Sequence, residues 1–247
     1  LREIDNIVGR LLEFYQKNGV QVVLLSEYGI TEVNQAIHLN RLFRKQGWLT
    51  VKEELGLELL DAGASRAFAV ADHQVAHVYL NRNEDDSFHT EVQKYLEETE
   101  GVQSVFDDAA KKEQGVDHER SGDLIAVAKE NAWFTYYYWL NDSCAPDFAR
   151  TVDIHRKPGY DPAELFVDRE IAFPKLRIAW RLLQKKLGFR MLMDVIPLDA
   201  SLVKGSHGCR PVSRLDWPVC IGPDEDWFPG EVLKSTDIHN VVLRAVG

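Results

Sequence analysis

Two short stretches, far apart in the chain, carry the residue types that handle phosphate esters. Lys204-Gly205-Ser206-His207-Gly208 sets an imidazole between glycines, whose small size lets the backbone come close to a bound group. Val22-Val23-Leu24-Leu25-Ser26-Glu27-Tyr28-Gly29 ends an aliphatic run in a carboxylate, a phenol and a glycine. Phosphoester hydrolysis by bound cations needs carboxylate and imidazole ligands gathered at one end of a sheet, and Glu27 and His207 are of those types. Ser26 to Gly29 also reads as a plain strand-to-loop turn.

A third polar stretch is Asp153-Ile154-His155-Arg156-Lys157-Pro158-Gly159-Tyr160-Asp161-Pro162. Asp153 and His155, followed by two cations, offer metal ligands or a phosphate clamp. The same loop reads equally as a rigid turn in which Asp161 caps a helix opening at Pro162. His73 and His77 lie in a segment, Ala67 to Leu80, whose composition predicts β structure. Their spacing puts them on one side of a strand, as a conceivable metal pair or as sheet-edge histidines bonded to backbone.

These groups need a scaffold. Ile4, Ile7, Val8, Leu11, Leu12 and Tyr15 recur at helical spacing before Gly19. The all-aliphatic run Val22–Leu25 predicts a strand covered on both faces, as in a parallel sheet with ligands beyond the strand ends. A helix is expected from Thr31 to Gly47, with Asn34 and His38 at its solvated edge. Glu84 to Glu100 predicts an acidic helix, Val102–Phe106 and Leu124–Ala128 two strands, and Asp107–Gly122 a surface connection. The aromatic run Trp133 to Leu140 suits core packing or stacking on a nucleobase. From Pro174 a helix turns Leu176, Trp180, Leu183 and Leu187 inward and Lys185 and Lys186 outward, and Met191–Ile196 returns as a strand.

The 247 residues suffice for one large α/β domain, and 45% hydrophobic with 28% charged residues is a globular balance. Against 29 lysines and arginines stand 39 acidic residues, a net charge of −10, so a nucleic-acid polymer is not the expected partner. A small phosphate ester held through metal ions is compatible with that charge. Cys144, Cys209 and Cys220 are scattered, which points to a reducing, cytoplasmic compartment, and no run is long enough to span a bilayer, so no membrane partner is expected.

The chain resembles the alkaline phosphatase superfamily, in its type I phosphodiesterase/nucleotide pyrophosphatase branch. The resemblance is carried by Gly205-Ser206-His207-Gly208, by the strand ending at Ser26-Glu27-Tyr28-Gly29, and by Ala62-Gly63-Ala64-Ser65-Arg66-Ala67-Phe68-Ala69-Val70. Asp72-His73-Gln74-Val75-Ala76-His77-Val78-Tyr79 and Gly122-Asp123-Leu124 extend it. That family has Ser-Asp-His-Gly where this chain has Ser26-Glu27-Tyr28-Gly29.

The resemblance implies a mainly parallel sheet flanked by helices, alkaline phosphatase-like. Residues 1–66 would be part of it, 67–130 a small α+β subdomain, and 131–247 a return to the main domain. It implies two divalent ions, zinc or else manganese, with Glu27 on one and His207 on the other. His155 would replace the imidazole missing at Tyr28, with Asp153 beside it, and Tyr28 and Lys204 would face the substrate, a small phosphate ester or nucleotide. It further implies that the family's nucleophile lies in an amino-terminal half not represented here, that half or a second copy being a partner. The alternatives are an inactive binding or regulatory member and, more remotely, a related phosphoryl-transferring or isomerising enzyme.

Overall fold

A computed structural model describes residues 2–81 and 85–246, so Glu84, at the start of the expected acidic helix, lies outside the described residues. In chain order the elements are α1 (Arg2–Lys17), β1 (Leu24–Leu25), β2 (Thr31–Glu32), β3 (Gln35–Ile37), α2 (Leu39–Lys45), β4 (Val51–Glu54) and β5 (Leu57–Leu60). There follow β6 (Ala67–Asp72), β7 (Val75–Leu80), α3 (Asp86–Glu97), β8 (Val102–Phe106), α4 (Asp108–Gln114), β9 (Leu124–Ala128) and β10 (Ala132–Phe134). The last are α5 (Pro174–Lys186), β11 (Gly205–Ser206), β12 (Cys220–Ile221) and α6 (Ile238–Val246). They divide into two compact units, residues 1–29 with 213–247, and residues 30–212.

In the first unit β1 pairs antiparallel with β12, Leu24 opposite Ile221 and Leu25 opposite Cys220. Ser26 extends the pairing, its N–H donating to the Val219 carbonyl and its hydroxyl accepting from Val219 N–H, each at 2.9 Å. Gly29 is required where it stands, because a Cβ there would lie 1.5 Å from the Asp216 carbonyl oxygen. The expected doubly covered strand is corrected to this two-residue ribbon, in which Leu25 is exposed. Consecutive aliphatics signal a strand that wants cover on both faces, and here they have a single antiparallel neighbour.

The second unit is built on a four-stranded sheet of order β6-β7-β9-β8 with every neighbour antiparallel. Its core-facing positions are mostly small: Ala67, Ala69, Ala71, Ala76, Ala126 and Ala128 are buried, together with Val78, Val102 and Leu124. Bulk comes from the opposing layer, where Phe43, Trp48, Phe88, Phe134 and the whole run Tyr136 to Trp139 fill one cluster with those alanines. Low side chains beneath large rings reach close packing without voids. The aromatic run is therefore core.

The mainly parallel sheet is corrected as well. Strands joined by links as short as the two residues between β6 and β7 can only return antiparallel, since a parallel return needs a crossover of about a dozen residues or more. Among the described residues the one parallel ladder is β3 with β10, Ala36 opposite Trp133. That pairing also overrides the helix expected from Thr31, which is confined to α2 after an extended stretch.

Asp107 caps α4 by accepting from Ala110 N–H, and Gly115 ends it in the left-handed conformation, so the expected surface connection holds a helix. Met191–Ile196 does not form a strand and contributes an isolated bridge from Asp194 to Thr151. Helix α5 forms where expected, but its apolar stripe faces outward, with Leu176, Trp180 and Leu183 exposed. Periodicity shows which residues share a face, and is silent on what that face meets.

Candidate functional site

The turn joining β6 to β7 gathers the chemistry of the second unit. Asp72 and Val75 are the last paired residues, so His73 and Gln74 form a two-residue loop. His73 sits at φ 56°, a left-handed conformation that two-residue hairpin loops usually give to Gly, Asn or Asp. For a residue with a Cβ it costs roughly 1 kcal/mol, and strain of this kind collects where geometry serves function.

Gln74 anchors the loop. It is fully buried, and its side-chain N–H groups donate to Thr31 Oγ1 (3.1 Å) and to the carbonyls of Glu130 (3.0 Å) and Ala132 (3.1 Å). Its side-chain oxygen accepts from Cys209 N–H at 3.3 Å, and its backbone N–H donates to the His207 carbonyl at 2.9 Å. Through one residue, the hairpin loop, the β10 approach and the segment around His207 are tied together. Gly208, at φ 121°, allows that approach, since a Cβ there would press on Val75 and Gln74.

Three side chains meet at this junction. The His73 and His207 rings lie 3.9 Å apart between centroids, tilted by 34°, and Tyr160 stacks on His73 at 4.3 Å. His73 Nδ1–H donates to Asp72 Oδ1 at 2.6 Å. That hydrogen bond, helped by the nearby histidines, holds the Asp72 carboxyl below the usual carboxylate range. A carboxylate fixing one nitrogen of an imidazole leaves Nε2 as the acceptor, the arrangement found behind metal-ligating histidines.

Tyr160 is delivered by the loop carrying Asp153 and His155. Its N–H donates to the Ala71 carbonyl at 2.8 Å, and Gly159, at φ 136°, passes Ala71 so closely that a Cβ would stand 2.7 Å from that oxygen. Beneath the loop Lys157, fully buried, pairs with Asp161 at 2.7 Å and Glu164 at 2.8 Å. One cation faces two carboxylates there, and burial pushes the Asp161 carboxyl up. Asp161 also accepts from Ala163 N–H, so the expected cap is present on a short 3-10 turn, Pro162–Leu165.

The sequence-derived candidates are distributed as follows. His207 is in the cluster just described. Asp153 pairs with Arg156 at 3.0 Å, and His155 is exposed on the same 3-10 turn, Ile154–Arg156. Lys204 is exposed, and its carbonyl accepts from Val33 N–H. Glu27 and Tyr28 are exposed in the first unit. His73 and His77 are not a pair: His73 is in the turn, while His77 on β7 accepts from Gly122 N–H at 3.1 Å, with its imidazole pKa lowered by burial.

Sequence reasoning missed the meeting of His73 with His207 and the parts played by Asp72 and Tyr160. The adjacency of Asp72 and His73 was the available signal, because it is the residue pair expected of the resembling family at Glu27-Tyr28. A cavity of about 680 Å³ opens elsewhere in this unit, its lining including His38, Arg41, Trp133, Arg150 and Asp199. Arg41 and Arg150 are already paired with Asp142 and Asp168, so the cavity gathers no comparable reactive set.

Among the described residues no three His, Cys, Asp or Glu side chains stand as a closed shell for a metal ion. Two imidazoles with a supporting carboxylate are a fitting but partial donor set.

A family model described as type I phosphodiesterase / nucleotide pyrophosphatase matches residues 1–161. No curated protein matches the chain. Among solved structures, phosphonoacetate hydrolase from Sinorhizobium meliloti 1021, in complex with phosphonoformate, is 20% identical, with 56% of this chain and 34% of that one covered and a TM-score of 0.39. Murine ectonucleotide pyrophosphatase / phosphodiesterase 5 is 16% identical, with 57% and 33% covered and a TM-score of 0.36. The chain thus spans about a third of the length of these two structures. Since the family match takes in well over half of the residues, the chain belongs to the type I phosphodiesterase/nucleotide pyrophosphatase family.

Proposed function

We propose that this chain is part of a metal-dependent hydrolase of phosphate mono- or diesters or nucleotide pyrophosphates. The observation that carries the reading is the convergence of His73 and His207, with Asp72 hydrogen-bonded behind His73. Divalent ions, zinc first and manganese second, would neutralise the phosphoryl oxygens and activate the attacking group. His73 and His207 would each offer a ring nitrogen, Asp72 would fix the tautomer of His73, and Tyr160 would hold its ring plane.

Further ligands are proposed on motif and loop position alone: Asp153 and His155 from their loop, and Glu27 from the first unit. Lys204, an exposed cation, and Tyr28 are proposed on the substrate side. The nucleophile is proposed to lie outside these residues, which makes the isolated chain inactive.

A second reading, an inactive binding or regulatory member of the family, rests on taking Glu27-Tyr28 as the counterpart of the family's Asp-His, and the Asp72-His73 pair beside His207 weighs against it. Zinc titration of the chain by calorimetry, with His73→Ala and His207→Ala beside it, tests the site. Each variant should lose at least about tenfold in affinity, and unchanged affinity in both would remove the pair from metal binding. Hydrolysis of an aryl phosphodiester by the complete polypeptide separates the two readings. Metal bound without turnover would favour the inactive one.

A further inference from the structure

The geometry points to α5 as an element that docks on the surface of an anionic lipid bilayer. Phe173, Leu176, Trp180, Leu183 and Leu187 follow at three- and four-residue steps along one face of the helix. All five are exposed, Leu176 at 69%, Trp180 at 56% and Leu187 at 63%. The stripe is flanked by cations on both sides: Lys175 and Lys186 along one edge, Arg177 and Arg181 along the other. The two arginines also reach back to Asp194, which fixes the helix to its own unit with the stripe turned outward.

Charge identifies the occupant. Between Phe173 and Met193 the sequence holds six cations and no carboxylate, inside a chain of net charge −10; Arg177 and Arg181 pair with Asp194 and Arg190 with Asp147, which leaves Lys175, Lys185 and Lys186 to meet a ligand. A second copy would bring its own Lys175 and Lys186 toward these and offer no carboxylate on the stripe to pair them. A bilayer with acidic headgroups answers both features at once, acyl chains for the stripe and phosphates for its margins. Trp180, midway along the stripe, is the aromatic type that settles at such an interface, and the lysines can bury their stems while keeping their charge in water.

The helix would lie in the interface and not cross it, since no helix among the described residues is long and apolar enough to span a membrane. This departs from the expectation of no membrane partner, which rested on the lack of a spanning run.

Co-sedimentation of the chain with phosphatidylcholine vesicles, with and without phosphatidylserine, tests the inference. Binding should be at least about tenfold stronger on the serine-containing vesicles and should fall at high salt. It should be lost in Trp180→Ser/Leu183→Ser and in Lys175→Glu/Lys186→Glu, with thermal midpoints of both variants compared to confirm folding. Absence of binding, equal binding to both vesicle types, or binding that both folded variants retain would overturn it. So would self-association of the parent chain that the serine variant abolishes, which would make a second copy the occupant.

Discussion

His73 and His207, far apart in the chain, come together in the second unit, ring against ring with 3.9 Å between centroids. The contact is held from below by Gln74, whose backbone N–H takes the His207 carbonyl and whose side chain fastens the neighbouring segments. It is held from the side by Tyr160, which arrives on a loop built over a buried cation.

The conformation of His73 gives a test independent of activity. At φ 56° a Cβ is unfavourable whatever the ring does. His73→Ala and His73→Gly both delete the ring and differ only in that carbon, so the glycine variant should be the more stable by about 1 kcal/mol. Urea midpoints of the two measure the difference, and equal stability would show that the turn relaxes to negative φ.

Gln74 carries the junction. In Gln74→Leu the carbonyls of Glu130 and Ala132 and the N–H of Cys209 lose a buried partner, and stability should fall by about 2–3 kcal/mol. Protection of the Cys209 amide in hydrogen exchange should fall with it. A loss below about 0.5 kcal/mol would mean that water or a shifted chain replaces the side chain.

Lys157, its side chain out of contact with solvent, balances the carboxylates of Asp161 and Glu164. Lys157→Met leaves Asp161 and Glu164 facing each other uncompensated, at a cost of about 3 kcal/mol. Adding Asp161→Asn removes one of the two charges and should restore part of the loss, so the double variant should melt above the single one. The reverse order would place the stabilisation in packing and not in charge.

His38 sets a pH dependence. Burial, and next the Arg41 guanidinium, lower its pKa to about 4, so it is neutral in the folded chain at pH 7. Between about 6.5, the ordinary imidazole value, and about 4 the unfolded chain binds the extra proton and the folded chain does not. Stability therefore falls as the pH drops through that window, by about 2 kcal/mol at pH 5 from this residue. In His38→Gln the fall between pH 7 and pH 5 should shrink accordingly, as read from urea midpoints at the two values.

What could be read from residues alone follows a physical line. Val102–Phe106 and Leu124–Ala128 are short apolar runs between turn signals, and they became β8 and β9 with those bounds. The regular apolar spacing of Ile4 to Tyr15 became α1. The helix expected from Thr31 failed because Gln35–Ile37 takes its partner from β10, nearly a hundred residues later, which no local pattern reveals. The same limit hid the site. His207 stood out through its flanking glycines, yet its contact with His73 depends on Gln74 bonding across the fold.

Ala71 has no polar side-chain atom and lies beneath the aromatic layer, yet its backbone forms the shelf on which Gly159 and Tyr160 rest. The height of that shelf is set by a methyl group. A valine or leucine there would lift the layer and carry the phenol off the imidazole, so the reach of the reactive groups is governed by a residue that takes no part in chemistry.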